Sequence, residues 1–163
     1  MPSKFVVEKD FLTEAGLRAV IIYTHNHHRC GYVGVSPEHP AYGKGYSTQL
    51  DCITQEEVTN VELGKKSSLL LLTAALGSDE EYKKIRRSID ILIDVHGGVT
   101  YSGGNNDYPV KADNIWWFGF DCSHDGDDAV GGQSLEYCIA ECESMAQQLS
   151  QLHERNRNDL YHH

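Results

Sequence analysis

The sequence predicts one α+β domain, of mixed α/β character: a mostly antiparallel or mixed sheet, helices on one face and a long C-terminal helix. Three observations predict it. Short runs rich in β-branched and aromatic residues recur at 5–7, 17–24, 29–35 and 115–121, with glycine and polar residues between them. Leu135, Cys138, Ile139, Cys142, Met145, Ala146, Leu149 and Leu152 fall three and four apart, which lays one apolar stripe along a helix. At 163 residues the chain is the size of a single domain, 1–163, and can bury a core without disulfides or structural metals.

Taken in order, residues 5–7 and 17–24 are joined by Thr13, Glu14, Ala15 and Gly16, so the chain opens on a hairpin. His25, Asn26, His27 and His28 then turn into a third strand at 29–35, whose alternation puts His28, Cys30, Tyr32 and Gly34 on one face. Pro37, Pro40, Gly43 and Gly45 break regular structure over 36–48, a loop held by Tyr42 and Tyr46. Thr54 with Glu57 makes a capping box for a short helix, 65–76 is a second helix stopped by Gly77, and 78–85 a third. The stretch at about 54–87 is therefore a helical insertion. Residues 88–95, Ser-Ile-Asp-Ile-Leu-Ile-Asp-Val, are expected to form an inner strand ending at His96, Gly97 and Gly98. Residues 99–102 extend briefly, 103–108 form a turn or mobile loop, and the aromatic strand follows, giving five or six strands. Beyond about Glu154 the C-terminal helix loses its apolar residues and is expected to fray.

Charge limits the partners. With 24 Asp plus Glu against 14 Lys plus Arg, a net charge of −10, no phosphate-neutralising surface is offered, so direct nucleic-acid binding is not expected. A basic protein partner remains compatible. The five cysteines are an odd number and no signal-peptide pattern opens the chain, which fits a reducing cytoplasm; no apolar run reaches the ~20 residues of a membrane span.

The chemistry gathers at strand ends. In the run Asn-Ile-Trp-Trp-Phe-Gly-Phe-Asp-Cys-Ser-His-Asp, alternation puts Trp116, Phe118, Phe120, Cys122 and His124 on one face and Trp117, Gly119 and Asp121 on the other. Cys30, His96, Cys122 and His124 are the expected metal ligands, a thiolate and imidazole set that suits zinc, with His28, Asp121, Gly97 and Gly98 as ligand-binding neighbours. The spacings His28-x-Cys30 and Cys122-x-His124 match no established zinc pattern. Two other readings use the same residues: buried free cysteines beside a hydrogen-bonded histidine, or metal-free catalysis. In the latter Cys122 or Ser123 is the nucleophile, His96 or His124 its base, and Asp121 or Asp94 the orienting group. Cys138 and Cys142, one helical turn apart on the apolar stripe, read as small core residues.

The ordered blocks HHRCGYVGV (27–35), PEHPAYGK (37–44), VHGGVTYSG (95–103) and WWFGFDCSHDGD (116–127) resemble a family of small uncharacterised proteins of bacteriophages and bacterial mobile elements. The resemblance implies phage-type accessory biology in the bacterial host cytoplasm, with a host protein as partner and an inhibitory, anti-defence role of the anti-CRISPR kind. The alternative is a small metal-dependent hydrolase or a nucleotide-ligand-binding protein using the same site.

Overall fold

Alternation of apolar residues sets the sheet, and a single apolar stripe sets the helix that covers it. The computed structural model describes residues 4–25, 27–50, 88–122 and 134–161; the helices expected within 54–87, and Ser123 and His124, lie outside the described residues. The first three strands, β1 (Phe5–Leu12), β2 (Arg18–Thr24) and β3 (Arg29–Val35), form an antiparallel meander. The β1–β2 turn closes on Thr13, whose hydroxyl donates to the Leu17 carbonyl at 2.7 Å, and on Gly16 at φ +89°, a left-handed position that suits glycine. Two later strands, β4 (Tyr101–Gly104) and β5 (Trp116–Asp121), complete a five-stranded sheet of order β1-β2-β3-β5-β4, antiparallel throughout. The α+β expectation is correct.

Residues 88–95 are not the inner strand expected of them. Ile89–Leu92 is a single helical turn, α1, following Ser88 at its N-terminus. Ile89, Leu92 and Ile93 are buried, an i, i+3, i+4 set, whereas Asp94 is exposed. A short apolar run satisfies both the strand and the helix period, and here packing against the core selects the helix.

The second helix, α2 (Leu135–Tyr161), continues past Glu154, where fraying was expected. It lies over β3 and, to a lesser extent, β2. Its stripe of Cys138, Cys142, Met145, Ala146, Leu149 and Leu152 is buried against Ala19, Ile21, Val33, Phe118, Phe120 and Cys122, with α1 closing one side. The opposite face of the sheet carries a second cluster of Val20, Ile22, Cys30, Tyr32 and Trp117, covered by Tyr108 and neighbours from the β4–β5 connection. That connection includes the stretch expected to be a mobile turn. Its Tyr108 is instead buried and stands edge-on to Phe5, Tyr32 and Tyr101 at centroid distances of 5.3 to 5.4 Å. The loop after β3 is also tied down, by the Trp116 indole N–H to the Lys44 carbonyl and by the Tyr46 N–H to the Ser102 hydroxyl.

Candidate metal centre

Directly opposite residues of an antiparallel pair turn their side chains to the same face. Cys30 of β3 faces Asp121 of β5 in this way. His28 stands two residues before Cys30, at the mouth of the β2–β3 turn, and alternation brings it to the same side. Its Nε2 lies 3.5 Å from Asp121 Oδ2. One ligand atom from each of His28, Cys30 and Asp121 lies within 4.8 Å of the other two, and among the described residues this is the group able to hold a metal ion.

The turn itself orients the imidazole. Thr24 is buried; its hydroxyl donates to the His28 carbonyl at 3.2 Å and lies 3.1 Å from His28 Nδ1. A hydroxyl has one proton. With that proton on the carbonyl, Thr24 Oγ1 accepts from Nδ1–H, and the Nε2 lone pair of the neutral ring turns toward Asp121. This is the arrangement by which a neighbouring group fixes the tautomer of a metal-ligating histidine. The side chains of His28 and Asp121 are 24% and 34% exposed, so the group opens to solvent. Cys30 is the buried member. Burial, reinforced by the Asp121 carboxylate, pushes its thiol up to about 12, so thiolate forms there only when a cation replaces the proton.

The remaining expected ligands go elsewhere. Cys122 follows Asp121 and therefore points to the opposite face, into the core beneath α2, with its Sγ 2.6 Å from Cys138 Sγ. The expectation that Cys30 and Cys122 share an ion fails on this register: Asp121, and not Cys122, is opposite Cys30. His96 is not at a strand end. It follows α1 and meets α2, its Nδ1 2.7 Å from the Tyr137 hydroxyl and its backbone N–H donating to Glu141. Gly97 and Gly98 have φ of +70° and +82°, and the Gly98 N–H donates to the Val95 carbonyl, so they form a tight turn and Gly98 has no amide to offer an anion. His124 lies outside the described residues. The metal-free reading meets an obstacle in Cys122, which is wholly buried and whose contact with Cys138 and burial both push its thiol up.

Thr24 has no motif to announce it. The signal was its position: a hydroxyl four residues before a histidine across a hairpin turn can reach that histidine's ring. No helix among the described residues is long and apolar enough to cross a membrane. No protein-family model, curated protein or solved structure matches the chain.

Proposed function

We propose that this is a non-enzymatic, phage-type binding protein of the bacterial cytoplasm that orders one zinc ion at His28, Cys30 and Asp121 and acts on a host protein by stoichiometric inhibition. One observation carries the metal part: Thr24 holds Nδ1 of His28 and so presents Nε2 toward Asp121, 3.5 Å away, beside Cys30. Ligand atoms around a tetrahedral zinc sit roughly 3.3 to 3.8 Å apart, so this cluster needs only a modest side-chain closure. Nitrogen, sulfur and oxygen donors together favour zinc over calcium or magnesium, which take oxygen. The phage and anti-defence part is supported by the sequence blocks alone, and the acidic charge favours a basic protein surface as partner.

The exposure of His28 and Asp121 supports a second reading, a metal-dependent hydrolase, because three protein ligands leave a fourth position for an activated water. Elemental analysis of the purified chain, with zinc titration against a competing chelator, tests the metal. About one zinc per chain is expected, falling sharply in Cys30→Ser and unchanged in Cys138→Ser. A chain that takes up no zinc and whose melting is indifferent to added zinc overturns the proposal. Turnover of a hydrolysable ester or phosphodiester that disappears with His28→Ala would favour the hydrolase instead.

A further inference from the structure

The face of the sheet away from the proposed metal ligands holds a second group of reactive side chains. Cys122 at the end of β5 and Cys138 in the first turn of α2 are 16 residues apart in sequence, and their Sγ atoms are 2.6 Å apart. Both are free cysteines, wholly buried. We propose that Cys122 and Cys138 form a redox-active dithiol that a hydroperoxide converts to a disulfide, clamping the end of β5 to the start of α2.

The separation is the first argument, since a disulfide bond is about 2.05 Å and only a small approach of the two sulfurs is needed. The second is that the rest of the fold holds the two elements at that distance. Downstream, α2 is fixed by Gln148, whose side chain accepts from the Asp94 N–H and donates to the Asp94 carbonyl, and by His39 on the Leu149 carbonyl. The strand end is fixed by the Cys122 N–H donating to the Arg29 carbonyl at 2.9 Å. The third argument is selectivity. Cys142 lies one turn along α2, but its sulfur sits over β3, where a Cβ added at Gly31 would meet it at 2.9 Å. Cys30 belongs to the opposite face. Cys138 therefore has one thiol to pair with at bonding range among the described residues.

The chemistry balances with a hydroperoxide as the oxidant. The Cys138 sulfur, whose thiol the contact with Cys122 pulls down, attacks as thiolate the terminal peroxide oxygen; an S–O bond forms, the O–O bond breaks, and the alkoxide leaves as alcohol or water after taking a proton. The second sulfur then displaces hydroxide from the sulfenic acid, forming the S–S bond and releasing water. Two sulfurs are oxidised by one electron each, and the peroxide oxygens take both. Burial excludes bulky disulfides as oxidants and leaves small peroxides. This proposal does not rest on the zinc reading, because the pair is on the other face.

The test uses the reduced full-length chain, in chelator, treated with hydrogen peroxide while folded and then alkylated under denaturing conditions. A protease cutting after glutamate separates the three nearby thiols, because Glu136 lies between Cys122 and Cys138, and Glu141 between Cys138 and Cys142. The expected product is one cross-linked peptide pair joining Cys122 to Cys138, two hydrogens lighter than the reduced form, with the other three cysteines, Cys30, Cys52 and Cys142, alkylated. Its melting temperature should rise by on the order of 10 °C, and a dithiol reductant should reverse the rise. Cys142→Ser and Cys30→Ser should give the same link. Any other pairing, irreversible oxidation of a single cysteine, full alkylation of both sulfurs, or a link that forms only in denaturant overturns the proposal.

Discussion

His39 Nε2 lies 2.7 Å from the Leu149 carbonyl oxygen, and this bond fastens the loop after β3 to α2. The Ala41 N–H donates to Nδ1 at 3.0 Å, so the proton of the neutral ring must be on Nε2, where it serves Leu149. His39 is 4% exposed. Burial carries its pKa down to about 4, and the Leu149 bond opposes that only in part. A buried neutral histidine makes the fold sensitive to acid. Above the unfolded value near 6.5 both states are neutral and the contribution is intact. Between about 6.5 and 4 the unfolded chain binds the proton and the folded chain does not, so stability falls as pH falls, by up to about 3 kcal/mol. Urea unfolding from pH 7 to pH 4 should show this slope, and His39→Gln should flatten it. Parallel pH profiles for the two proteins would remove His39 as its source.

Leu149 also fills the core. It is wholly buried between the sheet and the loop, on the stripe that α2 turns inward. Leu149→Ala removes that packing and leaves a cavity, at an expected cost on the order of 2 to 5 kcal/mol. Thermal or urea unfolding measures it, and a variant as stable as the parent would contradict the packed helix.

The stripe of α2 was legible because eight apolar residues at helical spacing leave little choice of conformation. The alternation in β3 and β5 was legible too, down to which residues share a face. What alternation cannot supply is register between strands far apart in sequence. Sliding β5 by one residue against β3 would put Cys122 opposite Cys30, and only the packed sheet decides for Asp121. The metal group was therefore half visible: His28, Cys30 and Asp121 were all named, but divided between two roles. Residues 88–95 elude periodicity because the apolar run Ile91-Leu92-Ile93 is three residues long and fits two periods, and Tyr108 eludes it because a polar, glycine-rich stretch gives no sign that one aromatic in it will cover a sheet face.

Gly119 has a requirement of its own. A Cβ there would come within 2.5 Å of the Tyr32 ring and 3.2 Å of Tyr101 Cβ. Tyr32 cannot swing aside freely, since it is buried edge-on to both Tyr101 and Tyr108 and its hydroxyl contacts that of Tyr108. Gly119→Ala is expected to destabilise by about 1 to 3 kcal/mol through overpacking. Gly98→Ala separates the two demands on glycine, because its Cβ would meet nothing within 4 Å and any loss comes from the φ of +82° alone. Chemical denaturation of both variants distinguishes crowding from backbone strain.

Zinc uptake should depend on pH through Cys30. Its thiol, pushed up to about 12 in the metal-free fold, must lose a proton when zinc binds. From pH 6 to pH 8 the apparent affinity is expected to rise roughly tenfold per pH unit from this proton alone. Competition with a chelator of known proton affinity measures the slope. Cys30→Ser should bind far more weakly with a shallower slope, and Cys122→Ser, on the other face, should keep the parent's slope.

Thr24 tests the orientation argument most directly. Its hydroxyl donates to the His28 carbonyl and accepts from Nδ1, so both the turn and the tautomer depend on one oxygen. Thr24→Val keeps the shape and removes that oxygen, while the backbone bond from the residue 24 N–H to the His28 carbonyl, 2.8 Å, is retained. The imidazole is then free to rotate and to exchange its proton between nitrogens, so part of the binding energy goes into fixing it again. A loss of roughly 10- to 100-fold in zinc affinity is expected, the usual effect of removing a group that orients a ligating histidine. Thr24→Ser restores the oxygen and should restore most of the affinity, which separates the hydroxyl's role from that of the methyl group. Nitrogen-15 shifts of the zinc-loaded His28 ring supply the second readout: the metal should sit on Nε2 with the proton on Nδ1 in the parent, and a mixture of the two ligation modes should appear in Thr24→Val. Equal zinc affinity in the Val and Ser variants, with unchanged ring shifts, would mean that Thr24 only closes the hairpin.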